Sequence, residues 1–162
     1  MNAEWTNEGG WPKSEMRDWL NSVFFGLLPQ DLSSRILEVE KKTSCWDKIS
    51  SHARAMCLTV TCDALWLISF KEVYGMLPVY KRNELSHLDV YDTEGAQYQF
   101  YANNDASVTK SEPCQKCGAD YLWWLRSPCA SGSYGFLYVN GDGDWDRGYA
   151  NSGCGVSPGF CF

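Results

Sequence analysis

Eight cysteines are the residues of this 162-residue chain with the widest range of possible chemistry. Four residues separate Cys57 from Cys62, and two separate Cys114 from Cys117. Closely spaced thiolates of this kind bind tetrahedral zinc, so these four cysteines are candidate ligands of a structural zinc ion. Buried free thiols or disulfides are the alternative, and the even number of cysteines does not choose between them.

Other patterns typical of metal binding or catalysis are missing from the sequence. Oxygen-bearing side chains alternate at every second position: Asn140, Asp142, Asp144 and Asp146. An EF-hand calcium loop needs Gly at its sixth and Glu at its twelfth position, where this chain has Trp145 and Asn151. Neither of the two histidines adjoins a nucleophile motif, and no glycine motif for phosphate or dinucleotide binding is present. The residues alone therefore predict no enzyme active site.

The composition excludes several classes of protein. Hydrophobic residues make up 44% and aromatic residues 15% of the chain, which is too apolar for a disordered protein. A net charge of −6 argues against a nucleic-acid partner, because general nucleic-acid binders need a basic surface. The chain has no run of about 18 apolar residues, so no membrane-spanning helix is predicted. Its start does not show the pattern of a secretion signal. The length predicts a single domain over residues 1–162.

Hydrophobic spacing predicts helices in the first third of the chain and short strands after it. Apolar residues recur every three or four positions from Met16 to Leu27, with Ser14 as the N-cap of the helix. Further elements are expected as a short helix at 31–37, strands at 64–70, 121–125, 136–140 and 155–160, helical turns at 71–75 and 98–101, and an exposed loop at 103–111. These elements predict an α+β fold.

Residues 127–162 differ in composition from the rest of the chain. They contain no Lys, Glu, Gln or Met, whereas residues 1–126 contain 25 residues of these four types. They are instead rich in Tyr, Gly, Ser and Asp, which is typical of adaptable binding surfaces. A β region that disfavours long side chains is the alternative explanation.

Several segments, in this order, resemble a bacterial and phage domain family of unassigned function. The most specific are W-W-L-R-S-P at 123–128 and G-V-S-P-G-F at 155–160, and the likeness covers nearly the whole chain. That family is similar to the C-type-lectin fold in its formylglycine-generating-enzyme-like variety, and it includes variable proteins of diversity-generating retroelements. The resemblance implies a C-type-lectin-like single domain with N-terminal helices and a short-stranded, mostly antiparallel sheet.

The resemblance also implies how residues 127–162 acquire their composition. In such retroelements a reverse transcriptase mutates adenines of a template repeat, so that codons of the AAC or AAT type become NNC or NNT codons. NNC and NNT codons never encode Lys, Glu, Gln, Met or Trp. Trp145 is then a framework residue, together with Trp124, Arg126, Phe136, Val139, Gly155, Val156 and Phe160. The implied diversified, ligand-binding positions are Cys129, Gly132, Tyr134, Gly135, Leu137, Tyr138, Gly143, Asp144, Asp146, Arg147, Gly148, Tyr149, Gly153 and Cys154.

The function that the resemblance implies is binding without catalysis. A hypervariable surface, whose side chains face solvent on a fixed scaffold, would bind a protein or cell-surface ligand. The protein itself would be located on a phage particle or on a bacterial cell surface. The sequence lacks the E-P-N, Q-P-D and W-N-D motifs of calcium-dependent lectins, so calcium-mediated sugar binding is not expected. Two alternatives stay open: a formylglycine-generating-type oxidoreductase that uses cysteines, and a small interaction module stabilised by zinc.

Overall fold

The N-terminal helix forms where the apolar spacing predicts it. A computed structural model describes residues 1–50, 53–75, 90–104 and 122–162 of the chain. Ser14 caps the helix by accepting a hydrogen bond from the Arg17 amide at 3.2 Å. The helix consists of α1 (Glu15–Asp18), a π-helical stretch (Trp19–Phe24) and α2 (Phe25–Leu27), and it buries Leu20 completely.

Three more helices are short. The helix predicted at 31–37 is found as α3, at Gln30–Ser33, and α5 covers Gln99–Asn103. The α4 helix covers Phe70–Tyr74, and Ser69 and Glu72 form a capping box at its start. Among the described residues, no helix is both long and apolar enough to cross a membrane.

A long antiparallel hairpin, which the sequence did not predict, follows the first helices. It pairs β1 (Val39–Ser50) with β2 (Ala53–Asp63), and its register places Cys45 opposite Cys57, where the two form a disulfide. Strand β1 lacks the apolar alternation by which a strand is usually recognised, and β2 shows that alternation only over residues 58–63. The hairpin contacts β4 and supplies polar groups to the centre of the molecule.

The central sheet has three antiparallel strands in the order β4–β5–β6. They are β4 (Trp123–Pro128), β5 (Gly135–Val139) and β6 (Trp145–Tyr149). The register pairs Trp124 with Tyr138 and Leu137 with Arg147. Strands were predicted at the positions of β4 and β5, although residue 121 lies outside the described residues.

Two predicted strands are much shorter than expected. The run at 64–70 yields only β3 (Trp66–Leu67), because residue 70 already begins α4 behind the Ser69 cap. The run at 155–160 yields only β7 (Pro158–Gly159), which pairs with β3. Most of the loop predicted at 103–111 lies outside the described residues.

The strands β4 and β5 lie between two hydrophobic clusters. Trp123 and Leu137 belong to one cluster, and Trp124 and Phe136 belong to the other. Successive strand residues point to opposite faces, so a strand that is apolar at every position is covered on both sides. The described residues therefore form a small α+β fold with an antiparallel sheet at its centre.

Candidate functional site

Arg126, in the W-W-L-R-S-P motif, is fully buried and pairs every N–H group of its side chain. A guanidinium has five such donors. Five acceptors from other parts of the chain receive them: Thr43 Oγ1 (3.0 Å), the carbonyls of Leu67 (2.8 Å), Lys42 (3.2 Å) and Glu94 (3.0 Å), and the Glu72 carboxylate. The motif thus fixes the fold, because Arg126 joins β1, β3, α4 and the 94–98 segment to β4.

Glu72 is the charged partner of Arg126 and also the cap of α4. Its carboxylate accepts a hydrogen bond from the Ser69 amide at 2.9 Å. Burial alone would raise the pKa of Glu72, but Arg126 and Lys41 together hold that pKa below its ordinary value. Glu72 is therefore ionised at neutral pH and balances the buried positive charge.

Glu94 is a second buried carboxyl group in this network. It accepts hydrogen bonds from the Ser44 amide at 3.0 Å and from the Ser127 hydroxyl. Burial raises the pKa of Glu94 to about 7, because the ionised form loses its hydration. Nothing in the sequence pattern marks Glu94, since it is one of several acidic residues in a polar segment.

A cleft of about 590 Å³ lies beside this network, between β1 and residues 94–99. Lys41 is its most buried cation: the ammonium lies 2.8 Å from the Tyr98 hydroxyl, 3.4 Å from Glu72 and 3.9 Å from the centre of the Trp66 ring. The Lys41 ammonium therefore makes its contacts with groups of the protein itself. Lys41 thus belongs to the stabilising network, and none of the predicted site residues that the structure describes lines the cleft.

A smaller pocket of about 150 Å³ lies on the C-terminal part of the chain, and we call it the C-terminal pocket. Of the eight described residues that line it, seven come from the segment 127–162 and the eighth is Tyr91. The lining is Tyr91, Cys129, Ala130, Ser131, Leu137, Trp145, Asp146 and Arg147. Four of the predicted ligand-binding positions therefore meet in one pocket.

Three aromatic rings lie side by side near this pocket, and we call them the aromatic platform. The Tyr149 ring lies 5.2 Å from the Trp5 ring and 5.3 Å from the Tyr134 ring, measured between centroids. Trp5 is 65% exposed and Tyr149 is 51% exposed. The sequence prediction missed Trp5, because it considered only residues 127–162 as ligand-binding; an isolated Trp in a polar segment was the available signal.

The backbone below the aromatic platform is held by Asn7, which is fully buried. Its side chain donates hydrogen bonds to the carbonyls of Gly132 at 2.9 Å and Gly135 at 2.7 Å, and its amide donates to the carbonyl of Ser133 at 3.0 Å. These bonds fix the loop that carries Tyr134. Asn7 therefore fixes the loop through backbone carbonyls, which are present whichever side chains the loop carries.

The predicted diversified positions differ widely in exposure. Those that are exposed are Asp144, Asp146, Arg147, Tyr149 and Gly153. Those that are partly buried are Gly132, Tyr134, Tyr138, Gly148 and Cys154. Those that are buried are Cys129, Gly135, Leu137 and Gly143.

The expectation that all these side chains face solvent is wrong at the four buried positions. Leu137 packs inside because both faces of β5 are covered. Cys129 directly follows β4 and is buried where its amide donates a hydrogen bond to the Gly135 carbonyl at 2.9 Å. At Gly135 a Cβ atom would lie 2.0 Å from the Gly148 carbonyl oxygen, so no side chain fits there. Gly143 has a φ of +92°, which other residues rarely adopt.

The predicted framework positions are buried in the sheet and exposed near the C-terminus. Trp124, Phe136 and Val139 are buried, like Arg126, and Trp145 is partly buried. The last framework positions, Gly155, Val156 and Phe160, are exposed. The sheet therefore provides the rigid part of the site.

The proposed zinc ligands do not come together among the described residues. Cys57 forms a disulfide with Cys45, so its sulfur is not a thiolate ligand here; Cys62 is an exposed free thiol, and Cys114 and Cys117 lie outside the described residues. No group of three or more His, Cys, Asp or Glu side chains suited to a metal ion occurs in the described part of the chain. In this structure Cys57 is the disulfide partner of Cys45, and a zinc ion held by these cysteines stays a prediction.

The protein is thus a small α+β domain with a pocket beside its central antiparallel sheet. The chain belongs to the DUF6273 family, described as a domain of unknown function, because the family profile matches residues 1–162. No curated protein and no solved structure gives a significant match to this chain.

Proposed function

We propose that this protein binds a protein or cell-surface ligand through the C-terminal pocket and the aromatic platform, on a C-type-lectin-like scaffold that a retroelement diversifies. The observation that carries the proposal is that, among the described residues, those lining the pocket come almost entirely from the segment 127–162. The same segment lacks Lys, Glu, Gln and Met, which mutated codons of the AAC or AAT type cannot encode. Composition and geometry therefore support the same surface.

The size of the pocket favours a macromolecular ligand. Pockets that enclose a small molecule usually start at about 300 Å³. At about 150 Å³, the C-terminal pocket has room for a single side chain. The exposed rings of Trp5 and Tyr149 extend the contact area beyond it, as the aromatic anchors of protein interfaces do.

The scaffold supports variation because its rigidity comes from other residues. The loop 129–135 is held by Asn7, and β4 is held by Arg126. The exposed side chains of Asp146, Arg147 and Tyr149 contribute no apolar surface to either hydrophobic cluster. Substitution of exposed side chains usually changes stability by about 0.5 kcal/mol or less.

A selection experiment tests the binding surface while the ligand is still unidentified. A phage-displayed library randomised at Tyr134, Asp146, Arg147 and Tyr149 would be selected against a panel of purified proteins. A matched library would be randomised at exposed positions of the first helix: Trp19, Ser22, Val23 and Leu27. We expect specific binders from the first library only; equal yields from both would contradict the proposal.

Sequencing of the flanking DNA tests the mechanism of diversification. We expect a second, near-identical copy of the segment that encodes residues 127–162, beside a reverse transcriptase gene. The two copies should differ mainly where the template has adenine. Differences scattered over all four bases would contradict the retroelement part of the proposal, while the selection experiment would still decide the binding part.

A further inference from the structure

Trp5 lies far from the segment 127–162 in sequence, yet the structure fixes it beside that segment. The Asn2 amide donates a hydrogen bond to the Ala150 carbonyl at 2.9 Å, and the Asn7 amide donates one to the Ser133 carbonyl at 3.0 Å. These two bonds hold the backbone on both sides of Trp5. Its ring therefore stands in a fixed place on Tyr149, and 65% of its surface is left exposed.

Arg147 connects the aromatic platform to the C-terminal pocket. Arg147 and Tyr149 are two residues apart on β6, so their side chains point to the same face of the sheet. Arg147 also lines the pocket, and its guanidinium donates a hydrogen bond to the Ser131 hydroxyl. Within the described ranges this is the one hydrogen bond of that guanidinium, so the remaining N–H donors point to solvent.

The charge at the pocket favours a carboxylate in the ligand. Asp146 also borders the pocket, but its carboxylate lies 3.4 Å from the Tyr138 hydroxyl, on the opposite face of β6 from Arg147. Arg147 is therefore the charged group on the face that holds Leu137 and Trp145. Guanidinium groups with free N–H donors bind carboxylates through two parallel hydrogen bonds.

We infer that Trp5 and Arg147 belong to the binding surface, and that the ligand is a protein segment with an apolar side chain next to a carboxylate. This inference rests on the proposed function and names the chemistry of the partner. The apolar side chain occupies the C-terminal pocket between Leu137 and Trp145, and the carboxylate binds Arg147. Trp5 forms a constant wall of the site, because it lies outside the diversified segment.

A random peptide library displayed on phage supplies the probe. The library would be selected on the immobilised natural chain, and the enriched peptides would be synthesised. We expect enriched peptides to carry Asp or Glu next to a large apolar residue. Amidation of the peptide C-terminus and replacement of Asp or Glu by Asn or Gln would show whether a terminal or a side-chain carboxylate is bound.

Two substitutions in the binding surface have matched controls elsewhere. Trp5→Ala and Arg147→Ala should each weaken binding of the enriched peptides by about tenfold or more, as truncation of an interface anchor does. Trp19→Ala removes another exposed ring that stacks on an aromatic neighbour, and Arg35→Ala removes another exposed guanidinium that lies over a ring. Both controls should change the dissociation constant by less than about twofold. Melting curves of all four variants would show that each one is folded.

The outcomes separate this inference from the proposed function. Peptides that bind without any carboxylate, or a Trp5→Ala variant that binds like the natural chain, would overturn the inference. So would a selection that enriches no peptide over the bare support. If Tyr149→Ala abolishes binding while Trp5→Ala and Arg147→Ala do not, the inference fails and the proposed function stands. If the library randomised at Tyr134, Asp146, Arg147 and Tyr149 yields no binders, the proposed function fails.

Discussion

Trp123 and Trp124 are neighbours in the chain, yet their indole rings lie in different hydrophobic clusters on opposite faces of the β4–β5 sheet. Each ring is almost completely buried. The sheet is thus an internal layer, and a large residue is required on both sides of it. The same arrangement determines which positions of the neighbouring strands tolerate substitution.

The first prediction concerns β5, which the two clusters cover. Leu137→Ala should lower the free energy of unfolding by about 2–5 kcal/mol, because it leaves a cavity inside the first cluster. Arg147→Ala, at the position paired with Leu137 but exposed on β6, should change it by about 0.5 kcal/mol or less. Urea denaturation of both variants measures the difference. A Leu137→Ala variant as stable as the natural chain would contradict the burial of Leu137.

The second prediction concerns the buried ion pair of Arg126. Arg126→Met should lower the free energy of unfolding by about 3–5 kcal/mol, because Glu72 and four other acceptors lose their donors in the interior. Arg35→Met is the matched control, since Arg35 is exposed, and it should have little effect. Thermal denaturation followed by circular dichroism gives the comparison. Equal melting temperatures for the two variants would show that the five hydrogen bonds of Arg126 do not stabilise the fold.

The third prediction concerns pH. Burial raises the pKa of Glu94 from 4.5 to about 7, so between these values the folded state binds more protons than the unfolded state. Unfolding free energy should therefore fall as the pH rises from about 4.5 to about 7, by about 3 kcal/mol in total at roughly 1.4 kcal/mol per pKa unit. Above pH 7 the contribution should be constant.

A variant of Glu94 isolates this contribution. Glu94→Gln cannot ionise, so the decline between pH 4.5 and 7 should disappear from its unfolding curves. Glu8→Gln changes an exposed carboxyl group and should keep the profile of the natural chain. Glu72 acts in the opposite direction: its pKa is lowered, so its stabilisation is lost as the pH falls through that pKa. A decline that persists in Glu94→Gln would assign the titration to another group.

The fourth prediction concerns the disulfide between Cys45 and Cys57, which closes a loop with a sequence separation of 12. A double Cys45→Ser, Cys57→Ser variant should be less stable by about 2–4 kcal/mol, because its unfolded chain is less constrained. Cys62→Ser alters an exposed free thiol of the same hairpin and should be close to neutral. Denaturation curves with and without reductant give both values. Measurement of zinc in the same samples tests the alternative role of Cys57. Stoichiometric zinc in the natural chain that is lost in the double variant would contradict the disulfide.

The sequence predicted the elements whose pattern is local. The helix after Ser14 and the apolar strand β4 were expected where they occur, because a cap and a dense apolar run are read directly from neighbouring residues. The β1–β2 hairpin was missed, because β1 has no apolar alternation and that of β2 is confined to residues 58–63. Ala64–Phe70 was read as one strand because periodicity did not reveal the capping box that begins α4.

The candidate site was predicted only in part, for a similar reason. Asp146, Arg147 and Tyr149 were expected to be exposed, and they are. Leu137 was expected to face solvent because the composition of a segment does not show which strand lies in the middle of a sheet. The contact between Trp5 and Tyr149 joins residues 144 positions apart, and no local pattern in the sequence indicates it.

The position of β6 at the outer edge of the β4–β5–β6 sheet has one more consequence. Edge strands are where folded proteins begin to aggregate, and charged side chains at their centre prevent it. Asp146 and Arg147 occupy the centre of β6. Under the proposed diversification, each new pair of residues at these positions would also set the solubility of the protein. Variants with two apolar residues there would be lost to insolubility before any ligand could select them.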